Sequence, residues 1–419
     1  MELADVDIYN PDTYVPGVPH EMFETLRREA PVSYIEHDGT GSWTVTKHED
    51  IVKVNRDAKT FSSWKGTALI PDMDPDQLEQ QRMMMLNLDP PDHTKLRLIV
   101  NKAFTPRRIN DLMERLRQIT RQVIGEVSEH GECDFVTDIA AELPLQAIAE
   151  LLGVPHEDRH KMFDWSNRMV GAEDPEYQVS PEEAGLAAME LFTYAQELAD
   201  AKRKNPGNDI VSTLLEAEVE GHRLTDLDFN LFFMLLTVAG NETTRNAISH
   251  SMLALMEHPG ERQKLLDDPT KINSAIEEFL RWASPVMSFR RTATCDTELG
   301  GQQIKEGDRV VMWHMSGNRD EDLFDKPYEF DIDRDPNLHL MQIAFGGGGP
   351  HFCLGANLAR AEMRIMFEEL LPVLPDMELA DAKRKNPGND IVSTLLEAEV
   401  EGHRLTDLDF NLFFMLLTV

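Results

Sequence analysis

Apolar residues recur along this chain at helical spacing far more often than they alternate. In residues 107–127, 138–152 and 183–205, Leu, Ile and Ala fall three and four positions apart, and each stretch is predicted as a helix. Residues 227–256, LDFNLFFMLLTVAGNETTRNAISHSMLALM, are apolar-rich and too long for a strand, which predicts one long helix. A further helix is expected over about 270–283, closed by Ser284-Pro285, and another over 355–373 with its apolar residues on one face. Strand character is confined to two places. VSYIEHDGTGSWTVT at 32–46 reads as two β-rich runs around Gly39-Thr40-Gly41, a hairpin signal, and 297–313 reads as strands around Gly300-Gly301. Gly346 to Gly349 is a loop and Asn205-Pro206-Gly207 a turn. The expected fold class is mainly α with a small β part.

One repeat interrupts this pattern. Glu197 to Val238 recurs letter for letter as Glu378 to Val419, 42 residues at an offset of 181. Two copies without drift or a short period are not a solenoid; such identity points to a duplication, a mis-assembled gene or a splice. The expected organisation is one domain over 1–377 and an added duplicate over 378–419. The first copy runs on into Ala239 and is expected to keep its place in the fold. The second copy is expected not to dock, which leaves Leu412 to Val419, LFFMLLTV, without a core to bury it.

The charge balance narrows the partners. Against 75 Asp+Glu stand 41 Lys+Arg, a net of 41 − 75 = −34, which repels nucleic acid and anionic membrane surfaces. The three cysteines, Cys133, Cys295 and Cys353, are an odd and sparse set, which argues against a disulfide framework and for a reducing compartment. The first residues carry neither a basic leader nor an apolar run, and no window of 18 residues is apolar and free of charge. A cytoplasmic protein without a membrane span is expected.

Chemistry concentrates in FGGGGPHFCLG, Phe345 to Gly355, which runs into the helix ANLARAEMRIMF. Glycines let a backbone pass close to a flat ligand. A cysteine at the start of a helix meets free amides and a favourable dipole, so its thiolate would make a good axial ligand for haem iron. The same letters also suit a Gly-rich turn with an ordinary buried cysteine. Ala239 to Thr244, AGNETT, lies in the middle of the long helix. There Gly240 would leave room over a ligand, and a Thr hydroxyl can take the place of a backbone bond and open a groove for water. Thr243 and Glu242 could then relay protons; a polar break in a buried helix is the plain alternative. In EEFLR, Glu278 and Arg281 share a helix face, and in HTKLR, His93 and Arg97 do. Either pair alone reads as surface charge.

Taken together these segments resemble the cytochromes P450. Counting back from Cys353, His351, Gly349 and Gly347 fall in register with the haem-binding loop of that family, as does Gly355 beyond it. Two departures are visible: Gly346 stands where the family's Phe belongs, with Phe345 one residue early, and Met341-Gln342-Ile343 lengthen the approach. AGNETT resembles the oxygen-activating motif, and Glu278 and Arg281 resemble a structural pair completed by Arg334. The resemblance implies haem b (iron protoporphyrin IX) ligated by Cys353, with His93, Arg97, Arg291 and His351 on its propionates. Phe345, Gly347, Gly349, Gly355 and Ala239 would complete the haem site, and Gly240, Glu242 and Thr243 the catalytic element. It implies insertion of one oxygen atom from O2 into a C–H bond of a hydrophobic substrate.

QRMMMLNLDPPDHTKLR, FTPRR, AGNETTRN, RWASPV and GANLAR are most similar to actinobacterial sterol-side-chain and methyl-branched-lipid hydroxylases. A terpenoid hydroxylase of the same family is the alternative, as is a haem-binding chimera without turnover, motivated by the tail. Met83 to Leu86, Val238, Ala239, Val286, Met287 and Phe289 are candidate pocket residues. In such relatives the chain goes on to strands and a hairpin that reach the active site; here it repeats 197–238 instead. Between His93 and Arg121 there are eight cations, Lys95, Arg97, Lys102, Arg107, Arg108, Arg115, Arg117 and Arg121, against Asp111 and Glu114. This patch reads as a solvated face or as a dock for an acidic ferredoxin. No flavin or nicotinamide fingerprint is present, so a separate NAD(P)H-dependent ferredoxin reductase is implied, with the enzyme itself a monomer.

Overall fold

The computed structural model describes residues 1–14, 17–37, 39–68, 70–170, 179–379, 399–400 and 403–404. The amino-terminal part runs α1 (His20–Glu29), β1 (Val32–Ile35), β2 (Ser42–Val45), α2 (His48–Arg56), β3 (Phe61–Ser62), α3 (Pro75–Gln81) and α4 (Asp92–Asn101). A helical body follows: α5 (Pro106–His130), α6 (Glu142–Leu152), α7 (Arg159–Val170), α8 (Pro181–Lys204), α9 (Ile210–Glu216), α10 (Asp226–Glu257), α11 (Pro259–Asp267) and α12 (Ile272–Ala283). Then come β4 (Ser288–Ala293), β5 (Thr297–Leu299), β6 (Gln302–Ile304), β7 (Arg309–Trp313), α13 (His314–Gly317), α14 (Pro336–His339) and α15 (Ala356–Leu370). Two short strands, β8 (Glu399–Val400) and β9 (His403–Arg404), close the described chain.

The expected hairpin forms, with Val32 opposite Val45 and Ile35 opposite Ser42. It joins a five-stranded sheet in the order β1-β2-β7-β4-β3, in which only the β2–β7 pairing is parallel. Most predicted helices appear with shifted ends. α5 continues to Gly131, whose φ of 76° supplies the left-handed residue that stops a helix. The predicted 138–152 helix begins as a π-helical turn, Val136–Ala140, before α6. The stretch at 270–283 divides into a 3-10 turn at Pro269–Lys271 and α12, which stops at Ser284 with φ 43° ahead of Pro285.

The long central helix explains the layout. Thr225 and Asp228 form a reciprocal capping box at the start of α10, and the helix runs for 32 residues, about 48 Å. It is buried on several faces, so it shows no narrow apolar stripe. Phe229, Phe232 and Phe233 enter one core with Ile148, Leu151 and Leu191. Ala247, Ile248 and Met252 enter a second with Leu116, Phe279, Met363 and Phe367. The polar letters of AGNETT lie between these two cores. Among the described residues no helix is long and apolar enough to cross a membrane.

In the repeat, Val219 faces His222 across Glu220 and Gly221, whose φ values of 52° and 81° are both left-handed. That is the geometry a two-residue turn between antiparallel strands requires. In the second copy Val400 faces His403 in the same register. Whether the rest of that copy docks, and what covers Leu412 to Val419, lie outside the described residues.

Candidate active site

Within α10, Thr243 Oγ1 donates to the Ala239 carbonyl at 2.8 Å, so the hydroxyl shares the acceptor of its own helical turn. Glu242 is fully buried and pairs with Arg245 one turn on, while Asn241 Nδ2 donates to Glu242 Oε1 at 3.2 Å. Burial pushes the Glu242 carboxyl up and Arg245 pulls it back, with burial the stronger. A Cβ on Gly240 would lie 2.4 Å from Ile148 Cδ1, so the glycine lets α10 cross α6 closely.

Three of the four glycines before Cys353 are pressed by protein. Gly346 to Gly349 have φ of 94°, 66°, 108° and 82°, a run that other residues resist. A Cβ on Gly349 would stand 2.1 Å from the Asn55 carbonyl, and one on Gly347 2.9 Å from Val52, so the loop is pressed against the last turns of α2. Gly347, Gly348 and Gly349 thus approach α2 closely, whereas a Cβ on Gly346 or Gly355 would meet nothing within 4 Å. The Cys353 amide donates to the Phe345 carbonyl at 3.1 Å, and Arg360 lies 4.5 Å over the Phe345 ring.

The amides of Gly355 and Ala356 at the start of α15 and the nearby cations Arg97 and Arg360 face the Cys353 sulfur. These favour the thiolate, but burial outweighs them and the thiol is pushed up. Cys353 keeps accessible surface.

Four basic side chains converge beside it from three segments. His93 on α4 and His351 have ring centroids 4.1 Å apart. Arg97 Nη2 donates to the Phe352 carbonyl at 2.6 Å, and Arg291 on β4 is 3% exposed. Burial, then the neighbouring arginines, hold His93 down to about 4 and His351 down to about 2, while burial takes Arg291 down to about 10. Asp89 faces the same cluster but is held by the Ser63 amide at 2.8 Å and by the Ser62 hydroxyl. Among the described residues no carboxylate lies within 4.0 Å of Arg291, and His93 Nδ1 is buried without a partner. A buried guanidinium lacking a counter-ion, beside a cysteine fixed by two amides, suits a haem that brings its own carboxylates and metal. Asp89 was not marked in the sequence; its place between Leu88 and Pro90 carries no pattern of its own.

Glu278 is the hub of a buried network. Arg281 grips it bidentately at 2.6 and 2.8 Å, Arg334 Nε donates at 3.2 Å, and His339 Nε2 lies 3.3 Å away, a member the sequence reading missed. Arg281 also donates to the carbonyls of Asn318 and Pro327, which fastens α12 to the chain that leads towards Cys353. Burial would raise Glu278, but these partners bring it down to about 2.

Half of the basic patch is paired: Arg115 with Glu150, Arg117 with Glu368 and Glu369, Arg121 with Glu369 and Lys95 with Asp92, while Arg97 turns towards Cys353 and Arg107 stays exposed. Met287 is 2% exposed and packs with Ile8, Phe23 and Trp313, not in a pocket, whereas Val286 and Phe289 stay partly exposed. Met83 and Met85 border a space of about 10 Å³ against Leu231 and Phe232, too small for a ligand. A cavity of about 600 Å³ beside Leu145, Arg159 and Phe163 shares no lining residue with the Cys353 cluster.

Known proteins place this arrangement. The cytochrome P450 family model matches residues 182–373. A steroid C26-monooxygenase of Rhodococcus jostii is 46% identical, covering 91% of this chain and 82% of its own length. A methyl-branched lipid omega-hydroxylase of Mycobacterium tuberculosis is 40% identical, covering 90% and 89%. The solved structure of Mycobacterium marinum cytochrome P450 CYP268A2 in complex with pseudoionone aligns with a TM-score of 0.81 at 40% identity, over 89% of this chain and 93% of that one. The chain belongs to the cytochrome P450 family, whose cofactor is a haem with a thiolate ligand, and it is a monooxygenase of that family acting on hydrophobic substrates.

Proposed function

We propose that this enzyme binds haem b through Cys353 and hydroxylates a sterol side chain or a methyl-branched lipid near a chain end. The observation that carries the substrate class is the 46% identity with a steroid C26-monooxygenase, extended by the 40% identity with a branched-lipid hydroxylase. Bound haem supplies the iron at which dioxygen and two electrons yield one oxygen atom for a C–H bond and one for water.

In this reading the chain's own groups hold, orient and protonate. Cys353 ligates the iron, and the Gly355 and Ala356 amides fix the sulfur's direction and moderate its charge. Arg97, Arg291, His93 and His351 take the propionates, for which the Arg291 guanidinium has no carboxylate within 4.0 Å among the described residues. Thr243 moves a proton at Oγ1, anchored by the Ala239 carbonyl. Glu242, whose carboxyl burial pushes up against the pull of Arg245, is the second proton carrier. Val238, Val286 and Phe289 face the substrate. Electrons come from a ferredoxin and its NAD(P)H-dependent reductase to a monomeric enzyme.

The test is a reduced-plus-carbon-monoxide difference spectrum of the purified protein, followed by titration with cholestenone, phytanic acid and linalool. A thiolate-type band that Cys353→Ala loses and Cys133→Ala keeps, with spectral shifts from the first two ligands, is the expected result. A second reading, a terpenoid hydroxylase, is favoured by the CYP268A2 complex with pseudoionone. Shifts with linalool alone would select it.

A further inference from the structure

Thr67 lies beyond β3, outside every motif described above, yet it is 1% exposed and bonded to the one cation that most needs direction. The Arg290 amide donates to the Thr67 carbonyl at 2.9 Å, and Thr67 Oγ1 donates back to the Arg290 carbonyl at 3.0 Å. Arg291 Nη1 donates to that same carbonyl at 2.8 Å and to Thr67 Oγ1. Both N–H groups of Nη1 are thereby spent on neutral oxygens of the protein. A guanidinium has five N–H groups in one rigid plane. Those on Nε and Nη2 have no hydrogen-bond partner among the described residues, and neither atom is sealed in the interior. They are the pair an incoming carboxylate meets edge-on.

Thr67 is itself held firmly. The Arg290 side chain donates to the carbonyls of Ile70 and Pro71, each at 2.8 Å, and pairs with Asp72 at 2.7 Å. The segment from Thr67 to Asp72 is thus strapped to β4 at both ends. Resting on the reading that the cleft takes a haem, we propose that Thr67 is a positioning residue for the cofactor. Its hydroxyl fixes the plane of Arg291 so that Nε and Nη2 point at a haem carboxylate. Without the hydroxyl, Nη1 loses an acceptor in a buried place and the guanidinium turns to find another.

The test compares Thr67→Val, which keeps the shape and removes the hydroxyl, with Thr67→Ser, which keeps the hydroxyl. Haem transfer from the loaded enzyme to excess apomyoglobin is timed, and the urea midpoint of the haem-free protein is recorded beside it. The expected result is haem loss about tenfold faster in Thr67→Val, near-parental loss in Thr67→Ser, and little change in the urea midpoint. In an Arg291→Gln background, or Arg291→Lys if the first does not fold, Thr67→Val should add nothing further, since its effect runs through Arg291. Parental haem retention in Thr67→Val overturns the proposal. So does an effect that survives loss of Arg291, or one that Ser does not restore. If the parent protein takes up no haem, the reading of the cleft falls and this proposal with it, an outcome distinct from normal haem binding that is indifferent to Thr67.

Discussion

Two side chains in the site are asked for opposite things. Thr243 contributes through one hydroxyl tied to Ala239, so Thr243→Ala should leave haem absorbance intact and uncouple reduced-nucleotide use from product. General acid–base steps are typically worth ~10²–10⁴-fold; unchanged product per NADH would remove Thr243 from the chemistry. Gly349 contributes by having nothing. With φ at 82° and the Asn55 carbonyl where a Cβ would sit, Gly349→Ala should cost at least about 2 kcal/mol in urea unfolding. Because that clash is with α2 and not with a cofactor, the loss should be the same in haem-free protein. Here the sequence was half legible. Four adjacent glycines announce an unusual backbone, but what presses on them is a helix nearly three hundred residues earlier, and no local pattern reveals it. The contact of Gly240 with Ile148 was hidden for the same reason, since Ile148 is its neighbour only in space.

Elements were legible where their own letters decide them. The hairpin at 32–46 and the long α10 appear as expected because alternation, length and caps are local properties. The ion pairs inside the basic patch were not, because Glu150, Glu368 and Glu369 reach Arg115, Arg117 and Arg121 from α6 and α15. The joint between α12 and the chain that follows gives a prediction with a definite sign. Glu278 titrates near 2 in the fold, below the ordinary carboxylate value of 4.5. Its contribution is therefore present above about pH 4.5 and is lost as pH falls towards 2, where the folded state also takes the proton. Glu278→Gln strands Arg281 and Arg334 and should cost about 3–5 kcal/mol at pH 7. The gap from the parent should narrow between about pH 4.5 and 2. A gap that stays constant with pH would mean the carboxylate is not the hub.

For the whole molecule, a net charge of −34 repels an acidic electron donor everywhere except where cations remain unpaired. Among the described residues Arg107 is exposed and outside every ion pair named above, whereas Arg117 is committed to Glu368 and Glu369. Arg107→Glu should slow ferredoxin-supported reduction by about tenfold at low salt, an effect that fades as ionic strength rises. Arg117→Gln should instead lower thermal stability with little change in that rate. Equal effects of the two on electron delivery would place the dock elsewhere. The turn at Glu220-Gly221 has a consequence of another kind. Because Val219–His222 and Val400–His403 share their sequence and their register, intrinsic propensity is identical at both sites. With one copy isotopically labelled by segmental ligation, any difference in chemical shift or amide exchange between them measures surroundings alone. The chain thus carries its own reference compound, in the same tube and at the same concentration as the sample.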